Sequence, residues 1–449
     1  MTGRVANPIL RNLEAGPVHK FRILAFACVV TLLAGRANPA ELAVAPPESA
    51  GFSSERLKLI DDYMNARVAS GHAPVSTVLI ARHCKVVFFH TYGQANPESG
   101  TPVRRDTIFR IYSQTKLVTG VALMILFEEG RWRFDDPVTR FVPEFAKLKV
   151  FKSLNADGTM ALEDAVRPPT MREIITHAAG FGYGLGTDGP VEKAYNESGF
   201  LTAASADDAI ARIAKLPLAS QPGQHWRYSA SVDIQGYIVE RISGQKLGDF
   251  MQSRIFGPLK MADTAFYVPA AKMDRFATLK SYDAKTNSLV APSGVLVFDY
   301  TKPPGAASGG AGLVSTTMDF ARFAEMLVNG GELDGARVLS PAAVRLLASN
   351  HLADEIRAHD EEPFSAHSGV GFGVDASVVL DAAKAGTTQG EGTIAWGGAA
   401  GSWFWIDPRN DLICLGMLQV MDRWSDPELR TIDSDMSALL YRALTDPSR

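Results

Sequence analysis

The amino-acid sequence predicts an α/β fold of the α+β type, with an antiparallel sheet flanked by helices and a second, helical domain. Runs rich in β-branched and aromatic residues lie near both ends of the chain, at 75–91 and 371–420. Between them, residues 137–367 have patterns typical of helices and loops. We therefore expect a discontinuous domain of residues 46–136 and 368–449, the helical domain 137–367, and a ligand site in the cleft between the two domains.

The N-terminal half of the predicted sheet begins with a helix and a hairpin. Ser53 or Ser54 can cap the helix. The helix carries apolar residues at helical spacing: Leu57, Ile60, Met64 and Val68. Two β-rich runs follow, 75–81 and 86–91, and the polar turn between them predicts a hairpin.

A second helix is expected from Ser113 to Gly130, a glycine suited to a helix C-cap. The middle of the chain shows few convincing strands up to about residue 360. The C-terminal part returns to β character in four runs: 371–374, 392–396, 401–406 and 412–420. A last helix is expected at 427–444.

The first 37 residues predict a secretory signal peptide. His19, Lys20 and Arg22 precede the apolar run 23–33, and small residues follow up to Ala37, where we expect cleavage. The protein is therefore predicted to be periplasmic or secreted, with no stable membrane span once the signal is removed. The alternative is a buried helix, because a run of about eleven apolar residues is too short to cross a bilayer.

Charge and cysteine content exclude several classes of protein. The net charge of -4 provides no basic surface for nucleic acid. Removal of the signal leaves Cys84 and Cys414, whose pattern does not predict a disulfide. The sequence contains no motif with metal-ligand spacing, so we expect neither a metal nor another cofactor. Nothing in the sequence indicates the oligomeric state.

Ser113 and Lys116 form a Ser-x-x-Lys motif at the expected start of the second helix. Residues three apart share one face of a helix, so the two side chains can meet. A serine hydroxyl needs a neighbouring base, and a lysine can act as one where burial and a helix N-terminus disfavour its ammonium form. The alternative is a capping serine and an exposed lysine, but the apolar residues around Lys116 favour the catalytic interpretation.

Tyr228 follows the turn 221–223 and is the second candidate. A phenol near the lysine can relay the serine proton or protonate a leaving alkoxide. The alternative is a tyrosine whose ring lies in the core and whose hydroxyl reaches the surface.

The third candidate is the segment Trp396-Gly397-Gly398-Ala399 on a late strand. Paired glycines allow a substrate to approach the backbone closely. The amides of Ala399 and Ser113 can then form an oxyanion hole. The alternative is a glycine-rich bend beside a tryptophan of the core.

With these three motifs in this order, the chain resembles the serine β-lactamase and penicillin-binding-protein superfamily, whose motifs are Ser-x-x-Lys, Tyr-x-Asn and Lys-Thr-Gly. Within this superfamily the sequence is most similar to the family VIII carboxylesterases, relatives of class C β-lactamases. The resemblance covers residues 46–445 and rests on further segments as well: 131–138, 175–181, 309–316, 396–401 and 404–408. It implies a β-lactamase-like fold with the active site between a sheet domain and a helical domain.

Two departures from the superfamily pattern favour an esterase. Ala230 stands at the position of the motif asparagine, and Trp396 stands at the position of the lysine in Lys-Thr-Gly. That lysine binds the carboxylate of a β-lactam or a peptide, and an indole cannot replace its charge. We therefore expect a serine carboxylesterase that hydrolyses short- to medium-chain esters through an acyl-enzyme on Ser113, with Lys116 and Tyr228 as the other catalytic residues.

The predicted substrate contacts are Trp396, Gly397, Gly398, Tyr183 and Asp233. Tyr183 can line the acyl pocket or belong to the core, as can Phe181 and Trp403. Asp233 resembles the esterase pattern five positions after Tyr228, and it either supports Tyr228 or Lys116 electrostatically or caps the following helix. His177 is expected to form a buried hydrogen bond.

The expected partner is a small-molecule ester. A β-lactamase, a D-Ala-D-Ala carboxypeptidase or an acyltransferase remains the alternative on the same scaffold. A non-catalytic protein that retains the fold for binding is disfavoured by the three intact side chains Ser113, Lys116 and Tyr228.

Overall fold

A computed structural model describes residues 41–186, 189–359, 364 and 368–446. These residues belong to one compact unit, Pro39–Arg449. The predicted signal peptide lies outside the described residues. Its cleavage site, the extracytoplasmic location and the division of the chain at residues 136 and 367 stay predictions.

Short and long β-strands occur along the whole described chain. In chain order they are β1 (Ala43–Val44), β2 (Val75–Arg82), β3 (Lys85–Asn96), β4 (Thr101–Pro102), β5 (Ile108–Arg110), β6 (Lys149–Leu154), β7 (Met160–Asp164), β8 (Lys280–Asp283), β9 (Ser288–Val290), β10 (Val314–Thr316), β11 (Glu332–Leu333), β12 (Ala336–Arg337), β13 (Val370–Phe372), β14 (Ser377–Val379), β15 (Ile394–Gly397), β16 (Trp403–Asp407), β17 (Leu412–Leu418) and β18 (Val420–Met421).

The α-helices of the described residues lie before, between and after the strands. They are α1 (Ser54–Ala69), α2 (Thr115–Glu128), α3 (Met171–Ile175), α4 (Pro190–Ser198), α5 (Ala206–Ile213), α6 (Ser231–Ser243), α7 (Leu247–Met251), α8 (Thr317–Val328), α9 (Pro341–Leu347), α10 (Asp354–His359) and α11 (Ile432–Ala443).

Within the described residues, the central sheet contains nine strands in the order β1-β3-β2-β17-β16-β15-β14-β13, with β4 paired to β3. All its pairings are antiparallel except that of β1 with β3. Every residue of β2 and β17 is buried because helices cover both faces of the sheet centre. The predicted mixed fold, an antiparallel sheet flanked by helices, is confirmed.

The two faces of the sheet pack against different helices. Trp405 and Cys414 join a buried cluster with Ile60 of α1 and Leu440 of α11. Phe404 projects to the other face, where its ring lies 5.4 Å from that of Phe320 on α8. Alternate residues of one strand therefore serve two cores, as the period of a β-strand requires.

The predicted N-terminal elements agree with the structure. Ser53 caps α1 by accepting a hydrogen bond from the Arg56 amide at 3.3 Å, and Leu57, Ile60 and Met64 form its buried face. The predicted hairpin is β2–β3. Cys84 in its turn and Cys414 on β17 are both free thiols.

Three sequence predictions need correction. The middle of the chain contains more β-structure than predicted, including the β6–β7 hairpin, whose largely exposed strands do not alternate apolar and polar residues. β14 was not predicted. The last helix begins at Ile432 instead of residue 427, because Asp426 organises a preceding turn in which its Oδ1 accepts the Glu428 amide at 2.8 Å.

A two-stranded ribbon brings a distant loop to the start of α2. β10 pairs with β5, directly before the segment that contains Ser113. The Ile111 amide then donates to the Leu313 carbonyl at 3.1 Å, and Thr119 Oγ1 donates to the Gly309 carbonyl at 2.7 Å. Residues 309–313 are thereby held alongside the first turns of α2. No helix of the described residues is long and apolar enough to cross a membrane.

Candidate active site

Ser113 lies in a single 3₁₀ turn, Tyr112–Gln114, that leads directly into α2. The residue before it, Tyr112, has a φ of 42° and is fully buried. A positive φ is costly for a bulky residue, so the packing around Tyr112 must hold this conformation. Its ring packs in a small core with Leu296 and Ala400. The backbone therefore bends sharply just before Ser113, and the packing of Tyr112 fixes this bend.

Lys116 is completely buried one turn after Ser113. Its Nζ lies 2.8 Å from the Gly310 carbonyl oxygen, 3.1 Å from the Tyr183 hydroxyl and 3.4 Å from Ser113 Oγ. Once it has given up its ammonium proton, the Lys116 amine has two hydrogens and one lone pair. Gly310 and Tyr183 can accept the two hydrogens, which leaves the lone pair for the proton of Ser113. The predicted Ser113–Lys116 contact is therefore present, in a geometry that suits a base.

Tyr228 meets the same serine from a different part of the chain. Its hydroxyl lies 2.7 Å from Ser113 Oγ, and its half-buried ring lies 5.7 Å from that of Trp396. Backbone hydrogen bonds hold the loop on both sides of it: the Arg227 amide donates to the His177 carbonyl at 2.9 Å, and the Ala230 amide to the Gly182 carbonyl at 3.0 Å.

His177 packs behind the Tyr228 ring, with 4.9 Å between the ring centroids. Its Nδ1 accepts the Ser229 amide at 3.1 Å and lies 3.0 Å from Ser229 Oγ. Burial, and then the charge of Lys116, lower the pKa of His177 well below its ordinary value, so the ring is neutral. The predicted buried hydrogen bond of His177 is confirmed.

Tyr183 and Asp233 flank Gly310 on the far side of Lys116. A Cβ at Gly310 would lie 2.6 Å from the Tyr183 hydroxyl and 2.7 Å from Asp233 Oδ2. Burial, followed by the charge of Asp233, holds the pKa of Tyr183 well above its ordinary value. Tyr183 therefore remains a phenol that can accept a hydrogen from Lys116.

Asp233 lies inside α6, and its carboxylate does not cap that helix. Its Oδ1 accepts Ser308 Oγ at 2.5 Å and the Gly310 amide at 3.2 Å. Burial raises the pKa of Asp233, while the charge of Lys116 opposes that rise. Of the two roles considered from the sequence, electrostatic support of Lys116 fits this position and capping does not. The structure does not place Asp233 on the wall of the cavity that contains Ser113.

Glu192 on α4 organises the site and was missed in the sequence. Its buried Oε2 accepts the Tyr183 amide at 3.2 Å and the Gly184 amide at 2.7 Å, while Oε1 lies 3.3 Å from Arg227. One carboxylate thus connects the Tyr183 loop to the residue preceding Tyr228. No local pattern indicates this role, because Glu192 has the surroundings of an ordinary helical glutamate.

The segment predicted to form part of an oxyanion hole lies at the end of β15. Gly398 packs so closely that an added Cβ would lie 2.5 Å from the Ile111 carbonyl oxygen and 2.3 Å from Ser402 Oγ. The backbone of residues 398–399 therefore lies beside the turn that carries Ser113. Among the described residues, the Ala399 amide donates no hydrogen bond, so it is available to an oxyanion.

The variant Gly398→Ala should lower kcat for a p-nitrophenyl ester about a hundredfold, because its methyl group would move the Ala399 amide away from Ser113. Steady-state kinetics check this expectation. Gly248→Ala is the matched control, since a Cβ at Gly248 makes only ordinary contacts of 3.4 Å with Phe266. Unchanged kcat in Gly398→Ala would contradict the proposed place of the Ala399 amide.

Ser113 opens into a cavity of about 760 Å³. The predicted contact residues on its wall are Tyr183, Trp396, Gly397 and Gly398. Trp403 also lines it, whereas Phe181 is fully buried in the core. The described lining residues include no lysine and no arginine. In the described part of the chain, no three His, Cys, Asp or Glu side chains are grouped to hold a metal ion.

Comparisons with known proteins agree with this geometry. A family model described as Beta-lactamase matches residues 60–434. An uncharacterized protein of Mycobacterium tuberculosis is 38% identical over 379 residues, which cover 80% of this chain and 92% of that protein. Esterase EstB of Burkholderia gladioli is 32% identical over 348 residues, which cover 73% of this chain and 82% of EstB.

Solved structures show the same fold. EstCE1, described as a hydrolase with promiscuous acyltransferase activity, superposes with a TM-score of 0.68 at 25% identity and covers 84% of this chain and 97% of its own. Simvastatin synthase from Aspergillus terreus superposes with a TM-score of 0.73 at 22% identity, over 87% of this chain and 98% of its own. The family match and the esterase relatives show that this chain belongs to the beta-lactamase family and is a serine hydrolase, a carboxylesterase with the beta-lactamase fold.

Proposed function

We propose that the protein hydrolyses uncharged carboxylic esters through an acyl-enzyme on Ser113. The observation that carries this proposal is the cluster in which Ser113 Oγ lies within 3.4 Å of Lys116 Nζ and 2.7 Å of the Tyr228 hydroxyl. A serine with a buried amine and a phenol on its hydroxyl has both a base and an acid at hand.

The proposed reaction starts when Ser113 Oγ attacks the ester carbonyl and its proton passes to the Lys116 lone pair. The 3.4 Å contact is long, as such contacts commonly are without substrate. The amides of Ser113 and Ala399 donate hydrogen bonds to the oxyanion, and each such donor is worth about 3 kcal/mol. Tyr228 protonates the leaving alkoxide and regains a proton from Lys116. Water then attacks the acyl-enzyme by the same route in reverse.

Preference for esters over β-lactams rests on the cavity wall. Trp396 stands where a lysine would bind a carboxylate, and the described lining residues include no cation. An anionic substrate would lose its hydration on binding without gaining a charged partner. The free-energy cost of this desolvation is far larger for an anion than for a neutral ester. Short- to medium-chain esters are therefore the proposed assay substrates.

Covalent labelling tests the nucleophile directly. A fluorophosphonate probe should modify the intact protein once, and peptide mass spectrometry should place the adduct on Ser113. An adduct on another serine, or no adduct, would refute the proposal. In parallel, kcat/KM for p-nitrophenyl butyrate should exceed that for a chromogenic cephalosporin, and the reverse order would identify a β-lactamase.

Acyl transfer is a second candidate function. It is supported by the likeness to EstCE1, whose description includes promiscuous acyltransferase activity. A cavity of about 760 Å³ also leaves room for an alcohol beside an acyl-enzyme. Added methanol or a larger alcohol should then divert the acyl group from acid to new ester, as measured by chromatography. Formation of acid alone would leave hydrolysis as the reaction.

A further inference from the structure

The cavity that contains Ser113 extends to the opposite face of the sheet. Directly paired residues of antiparallel strands project to the same face, and neighbours along one strand project to opposite faces. Trp396 pairs with Phe404 and contacts Tyr228, so it belongs to the catalytic face. Ala395 pairs with Trp405 and Gly397 with Trp403, so these residues face α11 instead. Residues of both faces line the cavity.

The cavity continues around one edge of β15. β14 pairs with β15 only at Ile394 and Ala395. Among the described residues, no strand therefore pairs with the Trp396–Gly397 edge on that side. The end of β15 thus separates the catalytic face from a second space, and this space is continuous with the first around the unpaired edge.

This second space, which we call the outer groove, has a floor of small residues: Ser377, Ala395 and Gly397. A Cβ at Gly397 would meet only the Ser402 carbonyl oxygen, at 3.1 Å, within a radius of 4 Å. One wall is α11, which contributes Ser434, Ser437 and Ala438, and the other wall is the segment 385–389. Small residues on the floor between two walls leave space that a ligand can fill.

Trp424 also lines the cavity and is unusual for its exposure. Its side chain is 64% exposed, although large aromatic side chains are commonly buried. The guanidinium of the buried Arg423 lies 3.7 Å from its ring centroid, a cation–π contact that favours one orientation of the indole. An exposed indole next to a continuous cavity offers a flat apolar surface to a ring system.

We propose that the outer groove binds a flat, apolar ring portion of an uncharged ester whose carbonyl lies at Ser113. This inference rests on the proposed esterase function and adds the substrate class. The cavity volume of about 760 Å³ is in the range that accommodates drug-sized ligands, far more than a butyrate ester fills. The only charged residue on the described wall, Asp433, is neutralised by Arg423 at 2.6 Å. Hydroxyls of Thr387, Thr388 and Ser434 can receive polar substituents of the ring system.

Two pyrenyl esters and one small ester test the proposal. Pyrenylmethyl butyrate carries the rings on its alcohol, p-nitrophenyl pyrenebutyrate carries them on its acyl chain, and p-nitrophenyl butyrate is the small reference. In the wild type, at least one pyrenyl ester should be hydrolysed, and the ratio of its kcat/KM to that of the reference is then compared between the wild type and the variants. The pyrenyl ester whose kcat/KM depends on the outer groove shows whether the alcohol or the acyl portion of the substrate enters it.

The groove is then narrowed with Ala438→Phe, at an exposed position of α11. This variant should lower kcat/KM for the favoured pyrenyl ester about tenfold relative to the reference ester. Trp424→Ala should lower the ratio of the two kcat/KM values, pyrenyl ester over reference ester, by a similar factor, because it removes the indole on which the rings would lie. This second variant keeps the test valid if Ala438→Phe folds poorly. Ala66→Phe is the matched control, because Ala66 is an exposed alanine of α1 outside the cavity.

The outcomes separate the two proposals. One outcome is that the ratio of kcat/KM for the pyrenyl ester to that for p-nitrophenyl butyrate is equal in the wild type, Ala438→Phe and Trp424→Ala. If p-nitrophenyl butyrate is still hydrolysed, that result would overturn the proposed ligand of the outer groove and leave the esterase function intact. A wild-type protein that hydrolyses none of the three esters would overturn the esterase function itself. A reduced ratio in the Ala66→Phe control would also overturn the assignment, because the effect would not depend on the groove.

Discussion

Replacing Ser113 with alanine should lower kcat/KM for p-nitrophenyl butyrate about ten-thousand-fold while leaving the fold intact. The change removes one oxygen atom, and with it the only group in the cluster that can form an acyl-enzyme. The amides that would bind the oxyanion belong to the backbone and remain. Activity that persists should therefore come from water attacking a bound ester, without any burst of product.

The structure explains why stability should be little affected by Ser113→Ala. Ser113 is half-buried, and the Tyr228 hydroxyl that loses its partner is half-buried as well, so water can replace the missing contact. Thermal unfolding and the loss of fluorophosphonate labelling should be measured on the same preparation. Ser70→Ala, at an exposed serine of the described chain, serves as the control. Wild-type turnover in a folded Ser113→Ala protein would remove Ser113 from the mechanism.

Lys116→Met should lower kcat about a thousandfold, the middle of the range for loss of a general base. Methionine has a similar length and no lone pair that can take the serine proton. The binding of substrate should change much less, because Lys116 is fully buried behind Ser113 and does not line the cavity. Steady-state kinetics should therefore show a loss in kcat with a nearly constant KM.

The stability of Lys116→Met is a balance of two opposing effects. The Gly310 carbonyl loses its donor at 2.8 Å, and an unsatisfied buried acceptor costs about 1–3 kcal/mol. Removing a buried amine also removes the cost of taking it out of water, which offsets that loss. We expect the Tm to change by only a few degrees, about what a net 1 kcal/mol produces. Lys58→Met, at an exposed lysine of α1, is the control. A Lys116→Met enzyme with wild-type kcat would refute the lysine base.

Elements specified by short-range patterns were predicted well. The Ser113–Lys116 contact depends only on three residues of helical spacing, and the β2–β3 hairpin depends on two β-rich runs around one turn. Such features involve neighbours in the chain, so their physical cause is visible in a local pattern. The start of α11 was misplaced because the turn at Asp426 resembles a helix start.

Contacts between distant residues could not be predicted from local patterns alone, and the contact of Tyr228 with Ser113 is expected only through the resemblance to the superfamily. Lys116 meets the Gly310 carbonyl 194 residues away, and Tyr228 meets Ser113 across 115 residues. Glu192 holds the Tyr183 loop through two amides, although its own surroundings are those of an ordinary helix. The Gly310 contact depends on how β5 pairs with β10, and the other contacts depend on how loops pack. Neither kind of packing produces a periodic pattern in the sequence.

The sequence by itself predicted the nucleophile Ser113 and its lysine from their spacing, and its resemblance to the superfamily added Tyr228 and the tryptophan at the position of the motif lysine, 396. These predictions depend on residue identity, on spacing and on motifs that lie within single segments. Only the tertiary structure decided that the Lys116 amine has two acceptors besides Ser113, that Asp233 lies behind that lysine, and that the cavity continues past β15 to α11. The reason is physical: burial, close approach and cavity shape arise when distant segments pack, and no segment contains that information alone.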